Sequence, residues 1–382
     1  MRNIKQIAAF SLAAVLSVSG PALNVWAGSP EFARTQEEWT KLRDNVVEYE
    51  ELADLIHEYN VTVQKNQLDL NDKKKDDLIT RDQYAQNYRD AANDARSAIS
   101  GDDPVTDAKS AVSAAKADKA ADDNTEDLEV YRLTYDQTEA NLASQAQTLM
   151  ITYIQQKNQL ESAQLESERS EADYQTTLAK QGAGMATQAD LLAAKETIQN
   201  TSAAIEKLHA SLEETRQKLC VMLGWNYNDS PEIRDIPAVD SGHIQSLNPV
   251  EDKEKALQNN YTLNINKRKL ENASADITKE TLKRTISSNE QNISTALVKA
   301  YQAVLQANAA YEQAVTEYNL ESKTMDIMTQ KYQLGMVSPL VYQKQENAYK
   351  TKSIAVKSAE LTLFSAVQTY DNTVNGLASA GG

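Results

Sequence analysis

The sequence predicts an all-α fold: a tandem repeat of two long antiparallel coiled-coil helical hairpins, with little or no β-structure. The first observation is a turn motif stated twice. Gly184-Met185-Ala186-Thr187 returns 151 residues later as Gly335-Met336-Val337-Ser338, with Lys180 and Lys331 four residues ahead of the glycines. The second is that both copies lie between long runs whose apolar residues recur at three, four and seven, with almost no proline. That is the pattern of helices paired along one seam. The third is composition: 11 glycines and 3 phenylalanines in 382 residues are too few for a broad sheet core and suit long, thin helices.

The chain opens with Arg2 and Lys5, an apolar stretch over residues 7–18, and Val25-Trp26-Ala27, the three parts of a cleavable secretory leader. The apolar stretch is about a dozen residues, short of the roughly 20 that a spanning helix needs. An exported protein with a leader at 1–27 is expected. Losing Arg2 and Lys5 moves the net charge from −16 to −18, which repels nucleic acid and anionic headgroups and makes both poor partners.

Residues 35–100 keep a helical spacing through Val46, Leu52, Leu55, Ile56, Tyr59 and Val63, with a solvated, charged face around 71–77 that includes the lysines at 73–75. Gly101-Asp102-Asp103-Pro104 stops and restarts the helix, and a short Ala/Lys/Asp-rich helix follows to about Asn124. The run 126–180 has neither Gly nor Pro and sets Leu128, Tyr135, Leu142 and Leu149 seven apart. After the first turn, Leu191, Ile198, Ile205, Leu212 and Leu219 repeat that spacing until Gly224 stops the helix. Residues 225–250, with Pro231, Pro237, Pro249 and Gly242, read as an extended linker.

The second repeat, 251–376, echoes the first. Asn259-Asn260-Tyr261-Thr262 matches Tyr59-Asn60-Val61-Thr62, and Val374-Asn375-Gly376 matches Met222-Leu223-Gly224. Its seam runs through Leu297, Val304, Tyr311, Tyr318, Met325 and Tyr332, then Ile354 and Leu361. Residues 377–382 are expected to fray. The first repeat, 28–224, is longer by a charged insertion at about 66–125.

At the turns, glycine ends one helix in the left-handed conformation without a Cβ clash. Thr187 or Ser338 then caps the next helix. Asp190 completes a capping box with Asp in place of Glu, and Pro339 occupies the first helical position, where a missing N–H is harmless.

Two hairpins that turn at Gly-x-x-Ser/Thr and close on a glycine stop resemble the TolC family of outer-membrane efflux proteins. The resemblance rests on Gly184-Met185-Ala186-Thr187-Gln188-Ala189-Asp190-Leu191-Leu192-Ala193-Ala194 through Leu223-Gly224, and on Tyr332-Gln333-Leu334-Gly335-Met336-Val337-Ser338. It covers most of residues 45–376. It implies a trimer whose helices form a tunnel, with two strands per repeat in a shared outer-membrane barrel. It also implies that the hairpin tips form the periplasmic entrance and dock on the adaptor (membrane fusion protein) of an efflux or secretion system driven by an inner-membrane pump. The implied entrance residues are Gly184, Thr187, Asp190, Tyr332, Gly335 and Ser338. Asp190 matches a family acidic position, whereas Val341 stands where the second tip would carry one. Met185 and Met336 join these residues on their own chemistry, because flexible sulfur side chains suit adaptable interfaces.

The barrel has no counterpart in the sequence. A spanning strand needs about 9–11 residues of alternating polarity, and residues 260–297 offer none; Ile277, Leu282 and Ile286 are spaced as on a helix. A tunnel that has lost most or all of its barrel is expected. That fits the surface of a cell without an ordinary outer membrane, or a tunnel that ends on another protein.

No catalytic residue, metal or cofactor is expected. His57, His209 and His243 lie on separate elements without metal-ligand spacing to Cys220, and neither a phosphate-binding glycine loop nor a nucleophile elbow occurs. Cys220, in an apolar run, reads as a buried bystander. Tyr301, Tyr311, Tyr318 and Tyr332 read as packed seam. Capping alone also accounts for Thr187, Ser338 and Pro339. Three functional readings follow: a passive conduit that docks by its tips, a structural coiled-coil scaffold of the envelope without a conduit, or a solute-binding module, for which no pocket-forming segment is visible.

Overall fold

The computed structural model describes residues 34–42 and 44–381, so the leader expected at 1–27 lies outside the described residues. In chain order the elements are α1 (Gln36–Lys41), β1 (Val46–Val47), α2 (Leu52–Tyr59), α3 (Val61–Lys75), α4 (Arg81–Ser97), α5 (Pro104–Asp123), α6 (Leu128–Gly182), α7 (Gln188–Met222), β2 (Glu232–Ile233), α8 (Ser241–Ser246), α9 (Asp252–Asn259), α10 (Tyr261–Asn272), α11 (Asp276–Gln333) and α12 (Pro339–Asn372).

Two rods dominate. α6 has 55 residues and α11 has 58, roughly 80–90 Å each at 1.5 Å per residue. Their antiparallel partners α7 and α12 have only 35 and 34 residues and cannot cover them. The remaining length of α6 is lined by α2 and α3, and that of α11 by α9 and α10. Each repeat is thus one full-length helix with shorter helices set end to end along it. α12 also packs on α6 and joins the repeats, with Lys357 Nζ 3.1 Å from Glu161 Oε2.

The end-to-end joint is made by one asparagine in each repeat. Asn60 Oδ1 accepts from the Thr62 and Val63 N–H groups at 2.9 and 3.4 Å, capping α3, while its Nδ2 donates to Met222 O at 2.9 Å, the end of α7. Asn260 Oδ1 accepts from Leu263 N–H at 2.9 Å, and its Nδ2 donates to Gly376 O and Ala378 O at 3.1 and 2.9 Å. Asn260 is fully buried and Asn60 nearly so. The glycine stops close the same joint. A Cβ on Gly224 (φ +88°) would lie 2.5 Å from Tyr59 Cβ, and one on Gly376 (φ +112°) would lie 2.5 Å from Asn259 O. Both positions need glycine for space as well as for backbone sign.

The two cores gather at these joints. Leu52, Leu55, Ile56 and Val63 meet Met150, Leu219 and Leu223 in the first. Leu263, Ile293, Leu297, Val304, Leu363 and Tyr370 form the second. Cys220 is buried, as expected, but outside both clusters, beside Arg216 and the Asp229 carbonyl, and burial pushes its thiol pKa up. Toward the tips burial thins to a seam: α11 has no buried residue after Ala307 and α12 none before Ile354.

The structure departs from the sequence reading at several points. Residues 35–100 are not one helical run, because β1 pairs parallel with β2 of the linker, Val46 opposite Glu232 and Val47 opposite Ile233. This two-stranded pair is the only sheet among the described residues, and the linker also holds α8. α3 stops without a glycine: Asp77 takes φ +54° and Leu78 N–H reaches Lys73 O at 3.0 Å. Within the stretch expected as an insertion, about 66–125, the first residues belong to α3 and most of the rest fold as an α4–α5 hairpin.

Residues 261–296 are helical, as expected, but break at 273–275, where side chains of the second repeat satisfy carbonyls at and just beyond the end of α5. Asn272 Nδ2 donates to Thr125 O at 2.9 Å and Ser274 Oγ to Asp122 O at 2.8 Å. Arg268 lies 2.6 Å from the buried Asp127 carboxylate. The tail expected to fray is packed instead as far as Ala380. Ala378 and Ala380 are buried, because Asn289 and Asn292 of α11 donate to Ala380 O at 2.7 and 2.9 Å.

Asn260→Ala is expected to lower stability by about 2–3 kcal/mol in urea unfolding, since it strands buried backbone partners. Gly335→Ala should cost only the left-handed backbone term of about 1–2 kcal/mol, and Gly376→Ala clearly more. His57 on α2 lies 2.8 Å from Glu139 on α6, and that hydrogen bond raises its pKa against opposing burial. The stabilisation is complete below the ordinary His value of about 6.5 and is lost as pH rises through the higher folded value. Relative to His57→Gln, the parent protein should lose stability as pH rises from about 6.5, read from urea midpoints.

Candidate functional site

The two hairpin tips share one backbone. In the first, Gly184 adopts φ +74°, its N–H bonds to Gln181 O at 2.9 Å, and Met185 N–H reaches back to Lys180 O at 2.8 Å. In the second, Gly335 adopts φ +69°, its N–H bonds to Tyr332 O at 3.0 Å, and Met336 N–H reaches Lys331 O at 2.8 Å. Both are Schellman-type closures. An added Cβ on either glycine would meet nothing within 4 Å, so here glycine serves backbone sign alone.

The next helix begins differently at each tip. Thr187 Oγ1 accepts from Asp190 N–H at 3.2 Å, and Asp190 Oδ2 accepts from the Thr187 N–H and hydroxyl, both at 2.8 Å. The Thr187 N–H, then its hydroxyl, hold the Asp190 carboxyl below the usual carboxylate range. Ser338 Oγ accepts from Val341 N–H at 3.4 Å, and Pro339 fills the first helical position. One solution uses a reciprocal box and the other a hydroxyl plus a fixed φ.

What the tips leave outside is apolar. Met185 is 74 % exposed, Leu334 74 % and Met336 69 %, with Leu192 and Val341 exposed beside them. Tyr332 stacks on Tyr342, ring centroids 4.5 Å and planes 22° apart. The structure therefore brings Gly184, Met185, Thr187 and Asp190 into one tip, and Tyr332, Gly335, Met336 and Ser338 into the other. Sequence reasoning missed Leu334, Leu192 and Tyr342. Leu334 carried a usable signal, since it falls beyond the last seam position, Tyr332. Lys344 of α12 lies 3.8 Å from Asp173 of α6 and bridges the hairpins near their tips.

Among the described residues no group of His, Cys, Asp or Glu is placed to hold a metal ion, and no helix is long and apolar enough to cross a membrane. The chemistry on offer at the tips is adaptable apolar contact on rigid turns, the kind that seats in a partner's groove.

No protein-family model and no curated protein matches the chain; solved structures do. A membrane protein from Pseudomonas aeruginosa superposes with a TM-score of 0.56 at 10% identity, over 87% of this chain and 91% of that one. CusC, solved to follow transmembrane channel formation, gives 0.52 at 12% identity over 86% and 92%. The outer-membrane channel OprN gives 0.51 at 14% identity over 88% and 92%. The likeness is one of fold: the chain has a divergent TolC-like fold.

Thr187→Ala removes the cap oxygen and is expected to destabilise the first tip by about 1 kcal/mol. Hydrogen exchange should show it as several-fold faster exchange of amides 187–191, with the amides around Asn60 unchanged.

Proposed function

We propose that this chain is the tunnel component of an efflux or type I secretion-like assembly in the cell envelope. It is a passive conduit whose hairpin tips dock on an adaptor protein. The observation that carries the reading is the pair of like-built tips, each presenting an exposed methionine at the end of a long, thin hairpin. The hairpins beyond the joints support it too. Leu178, Leu320 and Ile327 are 42–68 % exposed on helices with little buried seam, as a wall segment that awaits neighbours would be. The fold shared with outer-membrane channels points the same way. In this reading three copies close the wall, the leader exports the chain, and a separate inner-membrane pump supplies the energy. The tip side chains give affinity and the capped turns hold them in place.

Replacing Met185, Leu334 and Met336 together by Asp should cut co-purification of a co-expressed cognate adaptor at least tenfold, with the circular-dichroism helicity unchanged. Light scattering of the mature protein should give a three-subunit particle. A monomer at high concentration, with adaptor binding that survives the tip changes, would instead leave a structural scaffold without a conduit.

A further inference from the structure

The α4–α5 hairpin has no counterpart in the second repeat, and it stands at the end of α6 opposite the tip. Its interior is a small-residue seam: Ala85, Ala92, Ala114 and Ala121, seven apart on each helix, are all buried, which lets the two helices approach closely. Arg96 pairs with Asp118, and Arg89 with Asp122 at 3.6 Å. The base is clamped by Arg81, which donates to the Ala121, Asp122 and Asn124 carbonyls and to Ser274 Oγ, and by Tyr84 stacked on Tyr131. Beyond that base, α4 and α5 pack on each other and on no other helix to a comparable extent.

The two outward faces carry opposite charge. On α5, helical spacing places Val105, Lys109, Val112, Lys116 and Lys119 in one exposed stripe, on the side away from Ala114 and Ala121. None of these lysines makes an ion pair with another described residue, although the chain as a whole carries −16. On α4, the side away from Ala85 and Ala92 presents Asn87, Asp90 and Asp94, all exposed. Asp90 accepts from Gln86 Nε2 at 2.7 Å, and neither aspartate is paired with a described cation.

The charges also match in height. Arg89 reaches Asp122 and Arg96 reaches Asp118, so Asp94 stands level with the turn of α5 that holds Lys116 and Lys119, and Asp90 about one turn nearer the base. Rotation about an axis running along the hairpin shifts nothing along it, and so sets one copy's lysines beside the next copy's aspartates. Packing like faces together would oppose lysine to lysine. A head-to-tail contact of unlike faces is the kind that closes rings, with Val105 and Val112 covered at its edge.

We propose that α4–α5 hairpins of adjacent subunits pack side by side, α5 of one against α4 of the next, as a second helical ring at the end remote from the tips. This inference rests on the oligomeric reading above and adds the surface that carries it.

The test uses the full-length mature chain with Cys220→Ser, Asp94→Cys and Lys116→Cys. Oxidation should give intersubunit disulfides; the two positions face opposite ways on one hairpin and cannot bond within it. Adding Lys109→Glu and Lys119→Glu should lower the cross-linked fraction at least tenfold, and adding Asp90→Lys to that variant should restore most of it. A multi-subunit particle in light scattering without cross-links would overturn this inference while leaving the tunnel standing. A monomer would overturn both. Cross-linking indifferent to the charge reversals would also overturn it. So would loss of binding to phosphatidylglycerol vesicles in the Glu variant with no cross-link in the parent, which would make an anionic surface the partner of that stripe.

Discussion

The fold depends on two buried asparagine side chains. A helix of 55 residues lined by shorter helices end to end creates an awkward place midway, where unpaired N–H and C=O groups of two helix ends meet inside a core. Asn60 and Asn260 each answer with both halves of one amide, the oxygen capping the helix that begins and the nitrogen holding carbonyls at or just past the end of the helix that stops. The neighbouring glycines let the backbones touch. With the joint closed, the long helix stays continuous past it.

That arrangement concentrates stability in the middle and leaves the ends lean. The large buried side chains lie close to the joints, while the hairpins beyond them keep little more than a seam. The tips are therefore held by local chemistry, a left-handed glycine and a capping hydroxyl, rather than by a core. Such an end keeps its shape while its outer side chains stay uncovered, which is what contact with another protein asks of it.

Much of this was legible from the sequence because it is local. The tips announce themselves through Gly184, Thr187, Asp190, Gly335, Ser338 and Pro339, whose effects reach no further than a few residues. The rods follow from seven-residue spacing, and the scarcity of strands among the described residues from a missing alternation. What stayed hidden is settled at long range. The break at 273–275 has neither Gly nor Pro, and Asn272 and Ser274 beside it donate to carbonyls of the other repeat. The stop at Asp77 uses a residue that favours the left-handed region only weakly. The ordered tail depends on Asn289 and Asn292 of a distant helix. At the tips, Tyr342 carried no local signal, and only its stacking on Tyr332, ten residues back across the turn, places it there.

The two repeats are alike at one end and unlike at the other. Both hairpins turn on the same motif, yet only the first carries α4 and α5. Any closed assembly of this chain therefore offers two near-equivalent teeth per subunit to whatever meets the tips, and a single helical pair per subunit at the opposite rim. A protein that binds teeth one by one reaches twice the stoichiometry of a protein that binds that rim. The mismatch in copy number is written into the unequal lengths of the repeats.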